Sequence, residues 1–260
     1  MRVSGTWIGL VILGVSIGSS FTSVAQETTE ADPALIARLH QADIESSLED
    51  MRLKPWHMKL TFQLFDAKGS STETGTIEEW WTNSWLYKID YTSPSYTSTE
   101  IMNKDGFFRT KGAGNPPEKI QALRRQVVHP MPDPQAINRS TPDLITHKFG
   151  NVSLDCIMIA FPIKNLPKPP LGLYPTYCME PGKTSLRLSF TSGSLLLVRN
   201  KMGRFQGREV AVEQYISVND VRASIAHVET LETMEAQDTS LTPLPEMEMV
   251  PDKPQLSKLT

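Results

Sequence analysis

The sequence predicts a mainly β protein of the α+β class, in which about ten to eleven short strands form one antiparallel sheet. Three observations support this prediction: apolar and polar residues alternate along most of the chain, the connections are short, and only two stretches keep helical spacing. Strands joined by short connections pair antiparallel. A sheet with this many strands has to curl or close, because flat open sheets of that size are rare.

The clearest alternation lies within residues 75–112. From Trp85 to Tyr91, aromatic or apolar residues occupy alternate positions with charged residues between them, and Leu86 is the exception. Such a strand buries one face and leaves the other in water. The segment Asn103-Lys104-Asp105-Gly106 has the composition of a tight turn. The stretch therefore predicts three or four strands joined by hairpins.

One helix is predicted before these strands in the sequence and one after them. Asp32 suits an N-cap and Pro33 the first helical position, so a helix is expected from Pro33 to about Glu49. A second helix is expected over Glu118–Val128. The four prolines between His129 and Pro142 predict an irregular loop there.

Further strands are expected before residues 75–112 and after the second helix in the sequence. The segment from His57 to Phe65 alternates cleanly and precedes the stretch 75–112. Shorter runs of the same kind follow between residues 144 and 231. These runs complete the predicted sheet.

The N-terminus has the organisation of a secretory signal peptide. The apolar run Trp7–Ile17 follows a basic residue, and Ser23-Val24-Ala25 provides small residues for cleavage. The run is shorter than the roughly 20 residues that span a bilayer, although an uncleaved anchor is the alternative. We therefore expect a cleavable signal peptide over 1–25 and a periplasmic or secreted location.

The rest of the chain is divided into one domain and a tail. Residues 26–236 are predicted to form the β domain. Residues 237–260 are rich in proline and acidic side chains and lack any periodicity, which is typical of a disordered segment. Such a tail could also contact a partner protein.

Cys156 and Cys178 are the only cysteines of the chain. In an exported protein an even number of cysteines predicts a disulfide. The alternative is two buried thiols. The spacing of the two residues matches no metal site.

The sequence contains no constellation that predicts catalysis or a cofactor. A formal net charge of −3 provides no basic face for nucleic acid. The five histidines are scattered and form no metal-binding pair. No nucleophile lies beside a recognisable base. We therefore expect no enzyme, no metal and no cofactor.

The aromatic residues of the strands are the candidate ligand-binding residues. Neighbouring strands would bring several of them to one face, where they would form an apolar wall for an acyl chain or an apolar peptide. The alternative is an ordinary core beneath the helices, because aromatic side chains fill cores well. The candidates are Trp80, Trp81, Trp85, Tyr87, Tyr91 and Phe107.

With these elements in place, residues 32–232 resemble the LolA/LolB-like superfamily, which includes periplasmic lipoprotein carriers and outer-membrane lipoprotein-sorting proteins. The resemblance rests on the first helix, the strand Met58–Leu64, Gly75 opening a strand that ends at Trp81, the aromatic and basic strand Trp85–Ile89, Pro94, Asp105-Gly106 before Phe107-Phe108, and Gly207 in the closing strands.

This resemblance implies a strongly curved antiparallel half-barrel with two helices on its concave face. It also implies a non-enzymatic carrier that holds an acyl chain, lipid or lipoprotein in the cavity. The basic cavity residue of the carriers has no identifiable counterpart in the sequence. The cysteine pair and the tail also resemble N-terminal regions of some TonB-family proteins of soil bacteria. The alternative function is therefore a protein-interaction or envelope-scaffold module that binds an envelope protein and no small molecule.

Overall fold

The computed structural model describes residues 31–160, 171–191, 195–235 and 241–251, and the predicted signal peptide lies outside these ranges. The helices are α1 (Pro33–Ser46), α2 (Glu118–Val128) and α3 (Pro134–Asn138). The strands are β1 (Trp56–Phe65), β2 (Ser71–Asn83), β3 (Leu86–Thr92), β4 (Thr97–Asn103), β5 (Gly106–Thr110), β6 (Thr141–Phe149), β7 (Val152–Ala160), β8 (Thr176–Met179), β9 (Leu186–Thr191), β10 (Leu195–Phe205), β11 (Arg208–Val218), β12 (Val221–Thr233) and β13 (Met247–Met249). Within the described ranges, no helix is both long and apolar enough to cross a membrane.

All the strands of the described residues belong to one antiparallel sheet. Their order is β13-β5-β4-β3-β2-β1-β12-β11-β10-β9-β8-β7-β6, so the first and last long strands, β1 and β12, meet in the middle of the sheet. The sheet remains open, with β13 and β6 as its edges. The predicted mainly β, curved antiparallel fold is thus confirmed. The described residues form 13 strands rather than ten to eleven, partly because β13 lies in the predicted tail.

The central core lies between α2 and the concave face of the sheet. Alternate residues of β1 from Trp56 to Leu64 are buried, as the sequence pattern predicts. They pack in one cluster with Ile120, Leu123 and Val127 of α2. The apolar side of the helix thereby covers the middle of the sheet.

The other helices cover the sheet toward β7, β8 and β9. Leu39 and Ala42 of α1 pack with Ile157, Tyr177 and their neighbours in a second cluster. The cross-strand register places Tyr177 opposite Ser189, which in turn lies opposite Leu197 of the central core. Side chains directly opposite each other share a face. The helices α1 and α2 therefore lie on the same face of the sheet.

The proline-rich segment 129–142 is more regular than predicted. It contains α3, a short helix that starts at Pro134, and the Asp133 carboxylate accepts a hydrogen bond from the Gln135 backbone N–H. Proline is compatible with the first position of a helix, where its missing N–H would have no partner. Pro142 lies within β6, an edge strand. An edge strand tolerates proline because one side of its backbone has no neighbouring strand.

Cys156 and Cys178 are directly opposite on β7 and β8, and their Sγ atoms are bonded at 2.01 Å. The bond links residues 22 positions apart. On the chain-entropy model, closing such a loop stabilises the folded state by about 3 kcal/mol.

We therefore expect that a thiol reductant lowers the free energy of unfolding by about 3 kcal/mol, because the unfolded chain regains the entropy of an open loop. Urea unfolding with and without reductant measures this change. A variant carrying both Cys156→Ala and Cys178→Ala is the control and should not respond to reductant. Equal stability of the reduced and oxidised native protein would contradict the prediction.

Residues 241–251 differ from the predicted disordered tail because they follow the edge of the sheet. Met247–Met249 pair with Phe108–Thr110, so β13 extends the sheet beyond β5. The Val250 N–H donates to the Phe107 carbonyl at 2.9 Å, and the Asn103 amide donates to the Leu241 carbonyl at 2.9 Å. The Leu241 side chain is buried. The segment thus protects the edge of β5.

Ending the chain at Glu235 should lower the free energy of unfolding by about 2 kcal/mol, which is the contribution expected from burying one leucine. The exposed edge of β5 should also promote self-association, because unpaired strand edges act as templates for pairing. Urea unfolding and analytical ultracentrifugation test the two effects. A chain ending at Pro251 retains β13 and is the matched control. Equal behaviour of the two truncated chains would show that β13 contributes nothing.

Candidate functional site

The concave face is not filled everywhere. A cleft of about 340 Å³ lies between α2 and the wall formed by β2, β3, β4 and β5. Its lining combines aromatic, aliphatic and charged side chains: Glu49, Trp81, Ser84, Trp85, Tyr87, Ile89, Tyr91, Glu100, Met102, Arg109, Asn115, Pro116, Gln121, Arg124, Arg125 and His129.

The strand register explains why these side chains meet. Glu79 on β2 lies opposite Ile89, Ile89 lies opposite Glu100, and Glu100 lies opposite Arg109 on β5. A parallel row two residues away joins Trp81, Tyr87 and Met102. Because directly opposite residues share a face, both rows point toward α2. Gln121, Arg124 and Arg125 complete the cleft from the helix, at the i, i+3 and i+4 positions that share one helical face.

Aromatic side chains around the cleft pack against further aromatic rings. The Trp81 ring stacks on Trp56 with centroids 5.7 Å apart, and the Trp56 indole N–H donates to the Leu48 carbonyl. Tyr91 packs edge to face with Tyr96 at 5.8 Å. Burial raises the pKa of the Tyr87 and Tyr91 hydroxyls further above neutral pH.

A buried ionic network connects α2 to the sheet. The Arg124 Nε donates to Glu79 Oε2 at 2.7 Å, and the Arg124 Nη2 donates to Glu49 Oε1 at 2.9 Å. Burial lowers the pKa of the Arg124 guanidinium, but the charges of Glu79 and Glu49 outweigh this and raise it well above its ordinary value. Desolvation raises the pKa of the fully buried Glu79 carboxyl, and Arg124 opposes that shift. Arg124 thus neutralises a carboxylate that has no access to water.

A second ion pair lies in the wall of the cleft. The Arg109 Nε donates to Glu100 Oε1 at 2.9 Å, and the Arg109 Nη2 approaches the same oxygen at 2.7 Å. The Arg109 guanidinium also lies 5.4 Å from the centre of the Phe107 ring. The wall therefore contains compensated charges between its aromatic side chains.

The residues at the entrance of the cleft are more exposed than those of its wall. The Trp85 side chain is 40% exposed and lies at the turn between β2 and β3. Arg125 is also exposed. Within the described part of the chain Arg125 makes no ion pair. A charged group and a large ring therefore flank the opening.

The structure brings together four of the six predicted aromatic residues. Trp81, Trp85, Tyr87 and Tyr91 line the cleft. Phe107 is buried in the same wall but does not line the cleft.

Trp80 lies on the opposite face of the sheet from the cleft. Its ring stacks on His57 at 5.1 Å, and the Lys88 ammonium lies 4.6 Å from its centre. Neighbours on a strand point to opposite faces. Trp80 therefore cannot share a face with Trp81.

The ionic residues of the cleft were not among the predicted site residues. On their strand faces, Glu79 lies between Ile77 and Trp81, Glu100 lies between Ser98 and Met102, and Arg109 follows Phe107. A charged residue between two apolar residues of the same strand face is a signal that would have identified Glu79. Their partners could not be found from spacing alone, because Arg124 lies 45 positions from Glu79.

Comparisons with known proteins agree with this architecture. No family model and no curated protein sequence matches the chain. The structure is similar to a LolA superfamily protein from Nitrosomonas europaea, with a TM-score of 0.50 and 10% sequence identity over 80% of this chain and 96% of the other. The chain has the LolA-like fold.

Two further solved structures resemble the LolA-like chain. One is a domain assigned to outer membrane lipoprotein sorting from Vibrio parahaemolyticus, with a TM-score of 0.45, 9% identity and coverage of 78% of this chain and 94% of the other. The other is a DUF1329 family protein from Desulfovibrio piger, with a TM-score of 0.47, 8% identity and coverage of 80% and 92%. At these identities the similarity concerns the fold alone.

Proposed function

We propose that this LolA-like domain is a non-enzymatic binding or carrier module, located in the periplasm, whose cleft holds the acyl chain of a lipid or lipoprotein. The observation that supports the proposal is the open cleft between α2 and the β2–β5 wall, beside the packed central core. Its volume of about 340 Å³ lies within the range of small-molecule sites.

The lining of the cleft suits an amphipathic ligand. Aromatic and aliphatic side chains such as Trp81, Ile89 and Met102 provide apolar contact. The charges within the wall are already paired, so an acyl chain can enter without separating them. Arg125 at the entrance is available to a polar or anionic head group. The LolA-like fold is compatible with such a ligand, because the resemblance found in the sequence implies a carrier of an acyl chain, lipid or lipoprotein.

The alternative function, a protein-interaction or envelope-scaffold module, does not require a cleft. A module of that kind would be expected to fill its concave face with side chains, because empty space in a core costs stability. The cleft therefore favours ligand binding. The edge strands remain available for protein contacts in either case.

The experiment is to fill the cleft and measure lipid uptake. Met102 is only partly buried and lines the cleft, so Met102→Trp should occupy part of its volume without disturbing the buried core. We expect delipidated wild-type protein to bind a fluorescent fatty acid at micromolar concentrations and Met102→Trp to bind it at least about tenfold more weakly.

Met249→Trp is the matched control, because Met249 is 54% exposed on β13 and outside the cleft. This variant should bind the fatty acid like the wild type. Absence of binding by the wild type, or equal binding by the two tryptophan variants and the wild type, would reject the proposal.

A further inference from the structure

A second and larger groove lies on the opposite face of the sheet. It has a volume of about 740 Å³ and crosses five strands from β2 to β10. The register places its side chains on one face, because Thr61 lies opposite both Thr76 and His227, and Glu213 lies opposite His227. The intervening Phe62 belongs to the core under α2. The groove is therefore separated from the cleft by the sheet itself.

Most side chains of the groove are neutral and can form hydrogen bonds. Thr74, Thr76 and Asn200 line it, and none of them makes a side-chain hydrogen bond within the described part of the chain. Tyr215 adds an aromatic ring, and the Arg222 guanidinium lies 5.3 Å from the centre of that ring. The groove thus presents hydrogen-bond donors and acceptors that face solvent, beside the flat ring of Tyr215.

The position of the groove argues against an extended peptide. A peptide that adds to a sheet pairs with the backbone of an exposed edge strand. The groove instead lies over β1, β12 and β11, each of which already has a strand on both sides. Any ligand must therefore be recognised by side chains.

The chemistry of the groove argues against lipids and nucleic acids. An acyl chain would bury the hydroxyl and amide groups of Thr74, Thr76 and Asn200 without partners, which costs free energy for each group. Nucleic acid requires an excess of basic side chains. Here the lining contains one arginine, Arg222, and one carboxylate, Glu213, whose Oε1 lies 4.0 Å from His227 Nδ1.

We propose that this groove binds a neutral oligosaccharide. Sugars offer many hydroxyl groups that can pair with the free donors and acceptors of the groove, and their apolar ring faces can contact Tyr215 and Ile225. The proposal does not depend on the function of the cleft, because the two sites lie on different faces.

The test titrates the full chain with chitotetraose and, separately, with maltotetraose, using calorimetry and NMR of the sugar. We expect a Kd of about 1 mM or tighter for at least one of them. The double variant Thr74→Val with Thr76→Val keeps the shape of both side chains and removes their hydroxyl groups. It should weaken binding by about tenfold, because two hydrogen bonds are lost.

Thr230→Val is the matched control, since Thr230 faces the same side of the sheet but does not line the groove. It should bind the sugar like the wild type, and Met102→Trp should do so as well. The proposal is overturned if neither sugar binds at about 10 mM, or if the double variant binds as tightly as Thr230→Val. Binding of an unstructured Ser/Gly decapeptide with equal affinity would also overturn it, in favour of a peptide site.

Discussion

Replacing Arg124 by alanine is expected to lower the free energy of unfolding by about 3 kcal/mol, and by up to about 5 kcal/mol if no water reaches the site. The reason is the Glu79 carboxylate, which is fully buried and would lose the guanidinium that donates to it at 2.7 Å. An uncompensated buried charge is far more costly than the loss of the ion pair itself. Urea unfolding followed by circular dichroism measures the change.

Two further variants distinguish this cause from a general loss of packing. Arg124→Met combined with Glu79→Leu removes both charges and keeps comparable volume, so it should recover most of the lost stability. Arg125→Ala removes an arginine from the adjacent position, where the side chain is exposed, and should change stability by less than about 0.5 kcal/mol. If the double variant is as unstable as Arg124→Ala, the ionic explanation fails.

The pH dependence of Arg124→Ala provides an independent test. Burial already raises the pKa of Glu79, and loss of Arg124 removes the charge that opposes this shift. The folded variant then binds a proton at Glu79 more tightly than the unfolded chain does. Between the pKa of Glu79 in the unfolded chain and its higher pKa in the folded variant, the stability of the variant therefore falls as the pH rises. We expect the loss of unfolding free energy in Arg124→Ala, relative to the wild type, to be smaller at pH 5 than at pH 8. A loss that does not depend on pH would contradict this account.

The sequence predicted correctly those features that depend on residues close together in the chain. The alternation from His57 to Phe65 is a local pattern, and it correctly identified the strand and the residues that it buries. The N-cap of α1 is equally local, and the Asp32 carboxylate does accept a hydrogen bond from the Ala34 N–H. Patterns of this kind are recorded within a few residues of sequence, so one chain is enough to identify them.

The candidate site was harder to predict because it depends on the tertiary arrangement. Arg124, Glu79 and Glu49 come from a helix, a strand and a loop, and only the fold brings them together. The inclusion of Trp80 beside Trp81 was nevertheless avoidable, because the period of two alone places adjacent strand residues on opposite faces.

The strand β13 shows a different limit of sequence prediction. A segment rich in proline and acidic residues can still add to a sheet when an edge is free beside it. The strand conformation of this segment depends on its pairing with β5 more than on its own sequence. The composition of residues 241–251 therefore could not reveal the pairing.

Gly75 has the shortest contacts to a built Cβ among the glycines of the described residues, and Gly75→Ala is expected to lower the free energy of unfolding by about 3 kcal/mol. A Cβ atom there would lie 2.4 Å from the Phe62 ring, 2.5 Å from the Thr92 carbonyl oxygen and 2.7 Å from Ser93 Cβ. The ring can move, but the carbonyl belongs to the backbone at the end of β3. The three strands approach closely at this point only because the side chain is absent.

Gly114→Ala is the matched control, because a Cβ atom there has no neighbour within 4 Å. Its stability should equal that of the wild type within about 0.5 kcal/mol. Adding Phe62→Leu to Gly75→Ala removes the ring contact but not the contact with the Thr92 carbonyl, so it should recover only a minor part of the loss. Full recovery of stability would mean that the glycine is required only by the Phe62 ring. The Thr92 carbonyl of β3 would then not require it. Since β3 contributes Tyr87, Ile89 and Tyr91 to the cleft, a displaced Thr92 should also weaken fatty-acid binding in Gly75→Ala.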